Sequence, residues 1–205
     1  MPRPAGSRNR DYAATRRALV DAVAPHLLDE TGEPNTVKAL AAAAGVSVPT
    51  LKHYFGDRDG VVRAVLEAVH TDSRVYLDRM AALAHDPPEQ VLPAVLVGIT
   101  ETWRRYGLGR MFASTLALGL EHDSLGPAFV DDVLEPLLQA MERLLTGFVE
   151  AGTLPPTDVR AAALSIVGPV VLGLLHQDNL RGTRCRPLDV EHFARTHSRT
   201  VLDGL

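Results

Sequence analysis

A chain of 205 residues with 46% apolar side chains can build a sizeable core and is too apolar to be disordered over most of its length. Its net charge of −4 is split by position: residues 1–20 carry five arginines against one aspartate, a net of +4, and the remainder carries −8. One cysteine, Cys185, excludes an intrachain disulfide and fits a reducing cytoplasm; a plain loop cysteine is a simpler reading than a thiol sensor tuned by Arg184 and Arg186.

Taken in chain order, residues 1–10 hold Pro, Gly, Ser and Arg without periodicity and read as a flexible basic arm, with no apolar stretch behind them of the kind a signal peptide needs. The spacing of Ala13, Val20, Val23, Ala24, Leu27 and Leu28 predicts a first helix from about Asp11 to Thr31, closed by Gly32 and kinked at Pro25. After the linker Glu33-Pro34-Asn35, a short helix is expected over Val37–Ala44, with Leu40 and Ala41 inward. Gly45 supplies a left-handed C-terminal residue, Val46 an apolar plug, and Ser47 an N-cap for a second short helix to Phe55. Pro49 falls in that helix's first turn, where its missing N–H costs nothing, and Leu51 and Phe55 share the buried face. Asp57 and Asp59 favour the start of a further helix, striped by Val61, Val62, Val65, Leu66 and Val69, that runs on through Tyr76 to Met80.

His85-Asp86-Pro87-Pro88 stops that helix. Helices are then expected at about 89–105, 108–121, 126–151, 157–180 and 189–203, and no segment has strand alternation with hairpin turns. The most apolar run, Ala161 to Leu175, is broken by Ser165 and Gly168-Pro169 and is shorter than the roughly 20 residues a bilayer needs, so it reads as a buried helix. The fold class is all-α: a three-helix helix-turn-helix domain over 11–56 and a helical bundle over 57–205, about nine helices in total.

Two short helices joined by a tight turn, with Val48, Thr50, Lys52, His53 and Tyr54 facing outward, have the layout of a helix-turn-helix, whose partner is the major groove of duplex DNA. The arginines of residues 1–20 sit at the same end, as phosphate contacts require.

Residues 11–65 resemble the TetR family of transcriptional regulators. The resemblance rests on Gly32, Thr36-Val37, Leu40-Ala41, Ala44-Gly45-Val46-Ser47, Thr50-Leu51, His53-Tyr54-Phe55 and Asp57-Arg58-Asp59. Three positions depart from the family pattern: Pro49 stands for the usual Gly, Lys52 for Tyr, and Arg58 for Lys. The first two lie on the reading helix and bear on base preference. By their chemistry, Thr36 and Arg58 at helix N-termini suit phosphate contacts, as do Thr50, His53 and Tyr54. Lys52 suits guanine acceptors, Val48 a thymine methyl, and Pro49 an apolar contact; Ser47 caps the helix. Arg3, Arg8 and Arg10 suit an adjacent minor groove.

The resemblance further implies a homodimer built from the last two long helices, here about 157–180 and 189–203, and a small-molecule cavity among the middle helices. Residues 157–180 are apolar on most of their surface, which a second subunit would cover, and a dimer reads two half-sites of a palindrome. Tyr76, Met80, Trp103, Tyr106, Met111, Phe112, Met141 and Phe148 fall on helices that would line the cavity, with His122 and His176 as polar contacts; the plain alternative is that they fill the core.

Other classes find less support. A di-iron bundle needs two Glu-x-x-His pairs, and only Glu67 with His70 qualifies. The sequence has no HExxH, P-loop or G-x-S-x-G motif, so no metal, cofactor or catalytic residue is expected. The expectation is a cytoplasmic, dimeric repressor released from a palindromic operator by an apolar small molecule. A helical-bundle enzyme, or a helix-turn-helix protein-interaction module without DNA readout, is the alternative.

Overall fold

The computed structural model describes residues 5–27 and 36–204, with side chains from residue 11 onward. Ten α-helices and no strand occur among these residues: α1 (Ala5–Leu27), α2 (Val37–Ala43), α3 (Val48–Phe55), α4 (Arg58–Ala81), α5 (Pro88–Arg105), α6 (Leu108–Glu121), α7 (Gly126–Phe129), α8 (Glu135–Glu150), α9 (Val159–Leu174) and α10 (Val190–Leu202). A π turn, Val130–Leu134, joins α7 to α8 without a break, so the helical runs number nine, as expected. A second π turn, Leu175–Asn179, extends α9. The first helix differs from expectation by starting at Ala5 instead of Asp11, so residues 5–10 are helical and not an irregular arm. The expected closure at Gly32, the linker after it, Leu28 and Arg3 lie outside the described residues.

By packing, the chain divides into two compact units: residues 1–72 with 114–132, and residues 73–113 with 133–205. Both α4 and α6 therefore contribute to each unit, and the expected boundary near residue 56 falls inside the first.

In the first unit, α1 packs on α2 and α2 on α3. The core is Leu19, Val20, Val23 and Leu27 of α1, Leu40 and Ala41 of α2, Leu51 and Phe55 of α3, and Val61, Val62, Val65 and Leu66 of α4. Arg17 holds α1 to α4 with two hydrogen bonds to Asp72, at 3.0 and 2.7 Å, and holds Asp21 on its own helix at 2.8 Å. Arg16 pairs with Glu67 at 3.0 Å and lies 5.4 Å over the Phe55 ring. His70 Nδ1 meets Asp132 at 3.2 Å. Glu67 and His70, the one Glu-x-x-His pair, are thus engaged by Arg16 and by Asp132.

In the second unit, α5 packs along α10, and α9 packs against α5, α8 and α10. Leu92, Leu96, Met141, Leu144, Leu145, Phe148, Ile166, Val170 and Leu174 form its fully buried centre. Counted with its π turn, α9 is a 21-residue stretch holding an 18-residue window of mean hydropathy 1.7, long and apolar enough by length and composition to cross a membrane. The shorter run Ala161–Leu175 understated this, because helical turns on either side add to it. Burial of Ile166, Val167, Val170 and Leu174 in the packed core assigns the helix's apolar character to folding. Gln177 is a buried polar residue that sequence patterning missed: its Nε2 donates to the Arg186 carbonyl at 3.0 Å, and its Oε1 accepts from Leu188 N–H at 3.1 Å, pinning the segment ahead of α10 to the π turn after α9.

Two stability predictions follow from the first unit. Leu51→Ala or Leu40→Ala, each removing a fully buried side chain, is expected to cost about 2–5 kcal/mol in urea unfolding. The hydrogen bonds from Arg17 hold the Asp72 carboxyl below its ordinary value. A depressed folded pKa gives stability that is present above the unfolded value of about 3.9 and is lost as pH falls below it. Asp72→Asn should therefore cost about 0–1 kcal/mol at neutral pH, since the pair is exposed, and make acid unfolding shallower.

Candidate functional site

The α2–α3 turn is built by backbone hydrogen bonds before any tertiary contact is counted. Thr36 Oγ1 accepts from Ala39 N–H at 3.2 Å and starts α2. At its other end Gly45 adopts φ +66°, which lets Gly45 N–H reach Ala42 O and Val46 N–H reach Ala41 O, both at 3.0 Å. Ser47 Oγ then accepts from Thr50 N–H at 3.2 Å and lies 2.8 Å from Thr50 Oγ1, capping α3. Pro49 sits in the first turn of α3, as expected. Leu51 and Phe55 anchor the inner face of the helix.

The opposite face of α3 is open. Ser47, Pro49, Thr50, Lys52 and His53 are exposed, and Val48 and Tyr54 half-buried. A donor, two hydroxyls, an imidazole, a phenol and two apolar groups therefore lie around the outer surface of the helix, the kind of set a groove-reading helix presents. Thr36 is exposed as well, and its oxygen, having accepted from Ala39, keeps an O–H to give to a phosphate oxygen.

Three findings refine the sequence reading. First, Tyr54 is packed from the side by Tyr12 of α1, ring centroids 4.8 Å apart and 29° from parallel, with His53 edge-on to both rings. Tyr12 was not among the sequence candidates; its place at helical spacing ahead of Arg16 and Leu19 was the available signal. Secondly, Arg58, expected on phosphate, lies with its Nη1 3.4 Å from His122 Nε2 and 3.5 Å from Asp59 Oδ1. Ser124 Oγ donates to the other oxygen of Asp59. His122, considered as a ligand contact, is instead this partner of Arg58. Thirdly, the start of α4 is capped by Asp57, whose Oδ1 accepts from Gly60 N–H at 2.7 Å. A side chain at Gly60 would run into the Phe55 carbonyl, so only glycine lets α4 begin this close to the end of α3.

The expected small-molecule residues all fall in the second unit, His122 apart. Met80, Trp103, Met111, Phe112, Met141 and Phe148 are buried, and Trp103 lies 5.2 Å from Phe112, the rings tilted by 46°. Tyr76 is 39% exposed, and partial burial raises its phenol above the ordinary value. Tyr106 does not join them: at 69% exposure it caps the end of α5, just before Gly107 at φ +63°, where the chain turns away from the core face. His176 is exposed too, its Nδ1 2.7 Å from Gln177 Nε2 and its ring against Gly182. Cys185 is exposed in the following loop, its thiol directed at the Gly182 carbonyl at 3.4 Å.

Comparison with known proteins gives the same picture. Residues 13–65 match the family of bacterial regulatory proteins described as the tetR family. The HTH-type transcriptional regulator BetI of Burkholderia mallei is 32% identical over 112 residues, 49% of this chain and 57% of that protein. BetI of Escherichia coli is 32% identical over 84 residues, 40% of this chain and 43% of that protein. The chain thus spans about half the length of the curated relatives it matches. Among solved structures, a chain described as a TetR-family transcriptional regulator of Mesorhizobium loti superposes with a TM-score of 0.80 at 16% identity, covering 94% of this chain and 97% of that one. The SmeT–triclosan complex superposes with a TM-score of 0.70 at 22% identity, covering 93% and 91%. SmeT is described as the repressor of the Stenotrophomonas maltophilia multidrug efflux pump SmeDEF. At these identities the structural likeness establishes the fold.

Two substitutions separate the parts of the site. Ser47→Ala removes the cap of α3 and should lower stability by about 1 kcal/mol, read by thermal unfolding, while leaving sequence preference intact. Lys52→Ala should instead shift which sequences are bound, read by a binding-selection profile, with stability unchanged within about 0.5 kcal/mol because the side chain is exposed.

Proposed function

We propose that this chain, which belongs through residues 13–65 to the tetR family of bacterial regulatory proteins, is a cytoplasmic, homodimeric DNA-binding repressor that a small molecule releases from a palindromic operator. The observation that carries this reading is the capped, glycine-turned α2–α3 pair, which holds Leu51 and Phe55 in the core and turns Val48, Thr50, Lys52, His53 and Tyr54 outward on one face. Lys52 and Val48 read base edges, and Thr36, Thr50, His53 and Tyr54 fix register on phosphates. Arg58 contributes positive charge at the start of α4, beside His122 and Asp59.

The dimer reading is supported by α9. Ala161, Leu164, Ser165, Gly168 and Leu172 recur at helical spacing and are exposed, Leu164 by 48% and Leu172 by 66%, and a Cβ on Gly168 would have no neighbour within 4 Å. An apolar stripe with small residues at its centre suits close approach of a second copy. Two copies would bring two α3 helices to successive major grooves, which is how one short reading helix gains specificity. Release by a ligand is supported by the fold shared with SmeT, solved with triclosan. In energetic terms the ligand need only favour the arrangement whose reading helices no longer match the groove spacing.

Selection of bound sequences from a random duplex pool tests this at physiological salt. The expected result is an enriched palindrome with half-sites about one helical turn apart. Salt-sensitive binding with no enriched sequence would sink the repressor reading. Arg58→Ala is expected to weaken binding to all enriched sequences alike, by a comparable factor for each.

A further inference from the structure

The last turn of α3 is gripped by α1 in a way that the core does not require. Tyr12 and Arg16 stand one turn apart on α1 and meet successive residues of α3. The Tyr12 ring stacks on Tyr54, and the Arg16 guanidinium lies over the Phe55 ring. His53 closes the group, edge-on to Tyr54 at 5.2 Å and 80° and to Tyr12 at 6.2 Å and 83°. Stacked and edge-to-face contacts are the arrangements that aromatic quadrupoles favour. Phe55 is buried and anchors α3, so Arg16 covers a core residue. Tyr54 is only half-buried and Tyr12 is 39% exposed, so their stack lies at the surface. The first helix is already held by Leu19, Val20, Val23 and Leu27 in the core and by the Arg16–Glu67 and Arg17–Asp72 pairs. A surface stack adds little apolar burial to that attachment; what it adds is a direction for the Tyr54 side chain.

We propose that Tyr12 is a positioning residue for DNA binding: its ring holds the Tyr54 side chain in the rotamer whose phenol donates to a backbone phosphate. The inference deepens the DNA-binding reading above and rests on it for its partner. A tyrosine on a helix has two favoured χ1 wells, which carry the phenol to different points on the helix surface. With Tyr12 against its face and His53 set nearly perpendicular to it, the Tyr54 ring is confined to one of them. A stack engages the faces of the rings, so the hydroxyl in the plane of Tyr54 is not used by it and can donate to a phosphate oxygen. Tyr12 acts through Tyr54 and not by touching the duplex. Phosphate contacts carry no base information, so the role bears on affinity for every bound sequence alike.

A double-mutant cycle on the full-length protein and the selected duplex tests this. Tyr54→Phe is expected to weaken the duplex about tenfold, as loss of one hydrogen bond to a charged oxygen does. Tyr12→Ala should weaken it about fivefold, the size of one aromatic pair. Tyr12→Phe should restore the affinity lost in Tyr12→Ala, because the ring is what stacks. In the Tyr54→Phe background Tyr12→Ala should cost nothing further. A merely structural brace would lower affinity equally in both backgrounds, and a direct contact from the Tyr12 hydroxyl would be lost in Tyr12→Phe; either result overturns the proposal. The chain has four tyrosines, so carbon-13 tyrosine labelling resolves Tyr54, whose three-bond couplings report its χ1 in the free protein. One rotamer is expected with Tyr12 in place and averaging between two in Tyr12→Ala; couplings unchanged by the substitution overturn the proposal as well. Urea unfolding checks the variants, and should Tyr12→Ala not fold, Tyr12→Leu takes its place in the cycle. The two readings fail separately. No enriched duplex removes the repressor reading and the phosphate contact together, whereas an enriched duplex on which Tyr12 and Tyr54 act additively removes the positioning role alone.

Discussion

The left-handed conformation of Gly45 is the constraint on which the reading face depends. With φ at +66° the chain reverses within three residues and still satisfies the last carbonyls of α2, so Ser47 arrives where its hydroxyl can cap α3. Any residue with a Cβ would be strained there. Once the turn is set, Leu51 and Phe55 fall inward and every exposed side chain of α3 is determined by the helical period. The outward direction of the α3 side chains is thus fixed by backbone hydrogen bonds and two buried side chains, and on the proposed reading base preference is left to Val48, Pro49 and Lys52.

The same first unit is braced from outside by charge. Arg16 and Arg17 of α1 reach Glu67 and Asp72 of α4, and Asp57 with Gly60 lets α4 start close against the end of α3. These arginines belong to the basic segment that, from composition alone, suggests phosphate contacts. Two of the five are committed to holding helices together, so the footprint of positive charge is in part structural. Arg58 is similar: it lies beside Asp59 and His122, on the stretch of α6 and its following turn that packs with the first unit.

The helices were legible in the sequence because their ends are chemically marked. Thr36, Ser47, Asp158 and Asp189 all cap as N-cap chemistry predicts, Pro87-Pro88 opens α5, and the proline pair at 155–156 falls between helices. The reading helix was legible for the same reason, since spacing alone sorts inner from outer residues. Interactions between elements distant in sequence were not. Nothing in the pattern around Tyr12 tells that its ring stacks on Tyr54, or that His122 faces Arg58, because each requires knowing which helices are neighbours. Tyr106 continues the apolar spacing of α5 but sits at the end of the helix, exposed, where Gly107 redirects the chain. The indole N–H of Trp103 is buried by the packing of α5, and no partner for it occurs among the described residues.

The stack of Tyr12 on Tyr54 bears on the entropy of recognition. A tyrosine that reaches a phosphate from a freely rotating position must surrender its rotamers on binding, at roughly 0.5–1.5 kcal/mol for each immobilised side chain. Tyr54 is already confined between Tyr12 and His53 in the unbound protein. Most of that ordering is completed during folding, so on the proposed reading the phenol would meet a nucleic acid as a rigid contact. Orienting such a group is then a task shared with the first helix, which couples the order of the chain's beginning to the lifetime of the complex.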